Sequence, residues 1–175
     1  MIITERDRID SLLELFPDIF DHKTVLYVGA RGNRFDLSSE FRKAEYKITV
    51  LEIFPKNVEY LETLDWITKV IEGDVRDFKV NRKFDIVFWW HGPEHIAEDE
   101  LETTLEYLEK KAKVAVVLGC PYGTRKQGNL GGNPNEKHIS SWDGNKFEDL
   151  GYEISCLGEI NRSKGRHITA VKKVK

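Results

Sequence analysis

Two imidazoles and a carboxylate crowd into five residues at His91-Gly92-Pro93-Glu94-His95, directly after the most strand-like run of the chain, Phe84-Asp85-Ile86-Val87-Phe88-Trp89-Trp90. Histidine is the side chain whose ordinary pKa lies near neutrality, so such a group at a strand end can take up or release a proton during a reaction. The same residues match H-x-x-E-H, an inverted zinc-protease spacing that needs both histidines on one helical face. Gly92-Pro93 works against that face, placing His91 at a strand end and His95 in a first helical turn, and no metal is expected here. His138 is a second candidate base; its plainer reading is a solvated loop histidine.

Two carboxylates complete the polar set. Glu52 follows the apolar run Ile48-Thr49-Val50-Leu51, about twenty residues beyond the turn Gly29-Ala30-Arg31-Gly32, where an acidic side chain can accept hydrogen bonds from both hydroxyls of a ribose. This points to a nucleoside ligand, against the alternative of a solvated carboxylate near a helix start. Asp74, after a third run, can accept from an adenine amino group or simply cap the next turn. The turn itself is not a G-x-G-x-x-G fingerprint, so a pyrophosphate finds no glycine cradle and dinucleotide binding is disfavoured. A ligand without phosphates needs only a tight bend there, which Gly29 and Gly32 supply.

The elements that must hold these groups can be read from hydrophobic period. Ile9, Leu12, Leu13, Phe16 and Phe20 recur at helical spacing, with Thr4 as a cap and Pro17 as a stop, so residues 1–22 form a helical segment packing on the domain. Thr24–Val28 reads as a first buried strand, a polar helix runs from about Ser38 to Tyr46, and Ile48–Leu51 is the second strand. A helix opens at Pro55, a third strand covers Trp66–Ile71 and ends in Gly73-Asp74, and Phe84–Trp90 is the fourth. Leu101, Leu105 and Leu108 mark a helix over about 98–111, before a fifth strand at Val114–Leu118. Between Gly119 and Ile139 lie five glycines, two prolines and no period, a loop long enough to be functional and expected to touch substrate. Ser140 or Ser141 caps a short helix carrying Trp142, Phe147 and Leu150, and strands over 152–160 and 167–173 form a hairpin through Asn161–Gly165. The whole predicts one α/β domain over 1–175: a doubly wound, mostly parallel, seven-stranded sheet with a C-terminal antiparallel hairpin and a ligand crevice at the strands' carboxyl ends.

From Thr24 to the terminal hairpin these residues resemble the class I S-adenosylmethionine-dependent methyltransferases. The most specific element is Asp85 through His95, similar to the D-x-x-x-x-x-H-x-x-E-H segment of small members; acids ending the second and third strands fit as well. The resemblance implies a Rossmann-like methyltransferase fold, S-adenosylmethionine as cofactor and methyl transfer as activity. It implies that Gly29, Ala30, Arg31 and Gly32 hold the methionyl part, Glu52 with Ile53 the ribose, and Asp74 with Val75 the adenine. Trp90 and His91 would lie beside the reacting methyl, with His91 and His138 as candidate catalytic bases and the segments 120–123 and 133–142 on the acceptor side. Strand alternation allows at most one of Trp89 and Trp90 to face the crevice, where a ring can attract the positive sulfur. Two positions depart from the pattern: Tyr27 stands where the first strand usually ends in an acid, and Arg31 replaces the second glycine. A non-catalytic S-adenosylmethionine-binding or regulatory protein of the same fold is therefore the alternative. A nicotinamide-dependent dehydrogenase is disfavoured by the missing phosphate glycines.

Composition narrows the partners. A net charge of −3 gives no general field for nucleic acid or an anionic membrane, and the cationic pairs Arg125-Lys126 and Lys172-Lys173 read as solvated surface. Cys120 and Cys156 belong to no C-x-x-C pair or zinc-ligand spacing and read as ordinary core or near-core thiols, and no apolar run approaches a membrane span, so a reducing cytoplasmic setting is expected. The methyl acceptor is not named by any of these features.

Overall fold

A computed structural model describes residues 3–31, 37–43, 46–158 and 166–174. The opening helix α1 (Glu5–Leu15) is fixed by a capping box in which Thr4 accepts from Asp7 N–H while the Asp7 carboxylate accepts from Thr4 N–H at 2.8 Å. Then follow β1 (Thr24–Val28), α2 (Ser38–Lys43), β2 (Lys47–Glu52), α3 (Pro55–Leu61), β3 (Lys69–Glu72) and β4 (Phe84–Trp90). After two short 3₁₀ turns come α4 (Leu101–Lys111), β5 (Ala112–Pro121), α5 (Gly144–Asp149), β6 (Glu153–Leu157) and β7 (His167–Lys173). No helix among the described residues is long and apolar enough to cross a membrane.

The seven strands form one sheet in the order β3-β2-β1-β4-β5-β7-β6, with β7 antiparallel to both β5 and β6 and the pairs from β3 to β5 parallel. Apolar residues on both faces of the central strands are what a two-sided cover demands. Leu26, Val28, Val87 and Trp89 face the layer of Leu101, Leu105, Leu108 and Phe147 from α4 and α5. Val25, Tyr27, Ile86, Phe88 and Trp90 face Ile9, Leu12, Phe41 and Leu61 from α1, α2 and α3. The chain leaves β1 toward β2 on one side and returns to β4 on the other, so the order reverses at β1/β4 and a crevice opens beyond their carboxyl ends.

Several boundaries differ from the sequence reading, β6 among them, which covers only Glu153–Leu157. β3 begins at Lys69, while Trp66 lies before it and packs half-buried beneath the Arg42 guanidinium, 5.0 Å from the ring. β5 continues past Leu118 to Pro121 because β7 pairs with its end, Gly119 to Thr169, Cys120 to Ile168 and Pro121 to His167. α5 starts at Gly144, its cap being Asp143, whose carboxylate accepts from Lys146 N–H at 3.1 Å, and buried Trp142 precedes the helix. Ser140 instead donates its hydroxyl to Pro93 O at 3.0 Å. The 161–165 connection lies outside the described residues.

Candidate functional site

A cavity of about 510 Å³ opens at the carboxyl ends of β1 to β4, where the strand order reverses. Gly29 ends β1 at its rim with φ +74°, a conformation that suits a residue without Cβ. Glu52 and Ile53 enter from β2, Asp74 and Val75 from β3, and Trp90 and His91 from β4. Both Trp89 and Trp90 contribute to the wall, although alternation places them on opposite faces of the sheet. Ala30 is buried in the core and does not reach the cavity, and Gly32 lies outside the described residues.

Glu52 is 4% exposed at the end of β2. Burial pushes its carboxyl up to about 7, opposed by hydrogen bonds from Phe54 N–H, at 2.8 Å, and the Asn57 side chain. Asp74 is committed to Arg76: Oδ1 accepts from the Arg76 backbone N–H and Nε, each at 2.9 Å, and Oδ2 from Nη2 at 2.5 Å. These bonds hold its pKa low against partial burial. Arg31 does not face the cavity as an isolated cation, because its Nε stands 3.5 Å from the Glu136 carboxylate. Tyr27 lies almost wholly buried, its ring stacked on Phe88 with centroids 6.2 Å apart.

The segment from Asp85 to His95 divides into separate roles. Asp85 lies at the other end of β4, far from the cavity, where it accepts from Thr24 N–H at 3.0 Å and from Lys113 Nζ at 2.9 Å. His91 breaks from the strand with φ +52°, and its Nδ1 lies 3.4 Å from Glu94 Oε1. Pro93–His95 form a 3₁₀ turn instead of a helix, so His91 and His95 do not share a helical face. Gly92 is required for this turn: a Cβ there would stand 1.7 Å from Trp89 Nε1.

Glu94 is the hub of the site, although its place within the motif marked it only as a neighbour of the histidines. Its side chain is 4% exposed and its Oε2 has no hydrogen-bond partner among the described residues. Burial would raise its pKa, but the His91 hydrogen bond and the charges of His91 and His95 bring it below the usual value. His95 Nε2 and His138 Nε2 each stand 4.0 Å from Glu94 Oε1, and the two rings meet edge to face at 4.9 Å. The Nδ1 atom of His138 contacts Arg125 O at 2.7 Å, and that of His95 contacts Lys137 O at 3.1 Å. A carbonyl can only accept, so both Nδ1 atoms carry the proton. Burial holds the His138 pKa below its ordinary value, outweighing the nearby Glu94 charge.

The glycine-rich loop is tied to this turn. Ile139 N–H and Ser140 N–H both donate to Glu94 O, at 2.9 and 3.3 Å, and His138 N–H donates to Gln127 O at 3.1 Å. Gln127, Asn133 and Glu136 thereby join the wall, as does Arg8 from α1. Sequence reading located this loop but not its inward residues, since an aperiodic segment carries no facing information. Arg8 gave no signal, being one cation on the polar side of an amphipathic helix.

No family model matches the sequence, and no curated protein matches it. Among solved structures the chain is similar to the N-terminal domain of EvdMO1 with SAH bound, at a TM-score of 0.68 and 18% identity over 98% of this chain and 82% of that one. It is also similar to the methyltransferase domain of bacterial CtHen1-C (TM-score 0.66, 16% identity, 95% and 96% covered). A third is magnesium protoporphyrin IX methyltransferase (ChlM) from Synechocystis PCC 6803 with bound SAM (TM-score 0.65, 14% identity, 98% and 79% covered). At these identities the likeness establishes the architecture: the chain has the Rossmann-like fold of S-adenosylmethionine-dependent methyltransferases.

Proposed function

We propose that this chain binds S-adenosylmethionine in the β1–β4 cavity and transfers its methyl group to an acceptor held against the 119–139 loop. The observation that carries the reading is Glu52, a buried carboxyl at the end of β2 that lines the cavity. A buried acid is stabilised by donors, and the two hydroxyls of a ribose are donors of the right number and spacing. Ile53, 37% exposed, and half-buried Val75 offer apolar surface to an adenine ring. Asp74 meets the amino group with capacity left beyond its Arg76 bonds. Gly29 bounds the methionyl end, and pairing with Glu136 keeps the Arg31 charge from opposing a sulfonium.

The bound cofactor supplies a methyl group on a good leaving group. The protein's work is then alignment, exclusion of water and acceptance of one proton from the acceptor. His91 takes that last role in preference to His138: its side chain is 29% exposed at the wall, whereas that of His138 is 7% exposed, with Nδ1 held by Arg125 O. A second reading, a protein that binds the cofactor without turnover, draws on Tyr27, which offers no carboxylate to the cofactor's ammonium group.

Calorimetric titration with S-adenosylmethionine and its demethylated product tests the proposal. Binding near micromolar, about −8 kcal/mol, that disappears in Glu52→Ala supports it, and absence of binding to either compound overturns it. In an acceptor screen with labelled methyl groups, His91→Ala should lower turnover by about 10²- to 10⁴-fold with product affinity unchanged. Loss of product binding in that variant would refute the base role, and tight binding with no acceptor found would favour the second reading.

A further inference from the structure

We infer that Glu94, His95 and His138 form a binding site for one divalent transition-metal ion, at the acceptor side of the cavity. The donor atoms of the three residues all lie within 4.8 Å of one another, and all three side chains line the cavity. With Nδ1–H of each histidine given to a backbone carbonyl, the ring in its neutral form carries its lone pair on Nε2. Both Nε2 atoms stand 4.0 Å from Glu94 Oε1, itself an acceptor. Apart from the His91 Nδ1 contact with Oε1 at 3.4 Å, the three atoms are acceptors separated by gaps too long for hydrogen bonds, an arrangement that a cation among them would draw together. The carbonyl contacts behind the rings are the outer-sphere partners that fix tautomer and ring direction in metal sites.

The buried carboxylate supplies a second, independent observation. Glu94 Oε2 is buried without a hydrogen-bond partner among the described residues, a state that leaves a charged oxygen poorly compensated. Around an ion held at about 2.0–2.2 Å, donor atoms stand roughly 3–3.5 Å apart, so each Nε2–Oε1 separation has to close by less than about 1 Å. Two imidazoles and one carboxylate suit zinc, cobalt, iron or manganese better than magnesium or calcium. Three protein ligands leave further coordination positions, and these open into the cavity. The H-x-x-E-H spacing alone implies no metal, since His91 and His95 share no helical face; the third ligand comes from the loop, 43 residues beyond His95.

The site's existence does not depend on the cofactor reading, and it is tested without cofactor or acceptor. Chelator-stripped protein is titrated with Co²⁺, followed by its visible ligand-field absorption, and with Zn²⁺ by calorimetry. One saturable equivalent is expected, weakened at least tenfold in each of Glu94→Gln, His95→Gln and His138→Gln. In case a variant does not fold, Co²⁺ added to the wild type should shift or broaden the ring resonances of His95 and His138 and leave those of His22 unchanged. Absence of saturable binding by the wild type, or binding undiminished in folded variants, would mean that the cluster is an ion-pair network around Glu94 and would overturn the inference. Metal binding without S-adenosylmethionine binding, or the reverse, separates the failure of one reading from that of the other.

Discussion

Replacing Glu52 with glutamine separates two consequences of one buried carboxyl. Burial places its folded pKa at about 7, against an ordinary value of 4.5. A group raised on folding contributes stability that is fully present below its unfolded pKa and is lost as the pH rises through the folded one. The two values differ by about 2.5 pH units, which at 1.36 kcal/mol per unit sets the loss at about 3 kcal/mol once the pH is well above 7. Glutamine has the same shape and can still accept from Phe54 N–H, but it never ionises. Glu52→Gln should therefore match the wild type near pH 4 and exceed it by up to about 3 kcal/mol at pH 8.5, roughly 6–12 °C in Tm for a chain of this size. Binding should move the other way, because an amide replaces a charged acceptor for the ribose hydroxyls: about 1.5–3 kcal/mol, or 10- to 150-fold. In the wild type, affinity for the demethylated product should rise with pH up to about 7 and then level, since the ionised carboxylate is the better acceptor. Urea unfolding and calorimetry at pH 4.5, 6 and 8.5 measure both. Equal stability at pH 8.5 would refute a desolvated carboxylate at this position, and undiminished affinity would refute its contact with ribose.

Gly92→Ala should destabilise the fold by about 3 kcal/mol, because the added Cβ overlaps the Trp89 indole and that ring is only 3% exposed; an unchanged urea midpoint and tryptophan emission would contradict the packing described. Asp85 has a pKa depressed to about 2, its bonds to Thr24 and Lys113 outweighing burial. Its contribution is present above its ordinary 3.8 and fades as the pH falls through 2. Asp85→Asn should cost about 1 kcal/mol at pH 7, the ion pair with half-exposed Lys113 being screened by solvent, with cofactor affinity unaltered. A large loss of affinity would place Asp85 in the site after all.

Much of the scaffold was legible because burial on both faces of a parallel sheet leaves unbroken apolar runs; β1 and β4 have the limits that their runs announce. The end of β5 was not, since Gly119 to Pro121 become strand only through pairing with β7, a partner some fifty residues away. The cap of α5 was misplaced because Ser140 and Asp143 have similar local credentials, and the tertiary bond to Pro93 decides between them. At the site, Glu52 and His91 could be found by position at strand ends. The meeting of Glu94, His95 and His138 could not, because it depends on how a segment without period folds back. Arg31 showed the same limit in reverse: its charge was visible in sequence, and its partner Glu136 was not.

The hydrogen bonds that fasten residues 137–140 to the 93–95 turn bear, under the proposed function, on how acceptor preference would change. Ile139, Ser140 and His95 stitch the loop to the segment that follows β4, so that under the proposed methyl transfer the loop wall and the residues after β4 would shift as one piece. A loop transplanted from a homologous fold would arrive with its own span and lose this stitching, misplacing His138 and exposing Glu94 O. If the chain transfers methyl groups as proposed, altered specificity should be reached by substitutions at cavity-lining positions such as Gln127 and Asn133, or by exchanging the turn and the loop together.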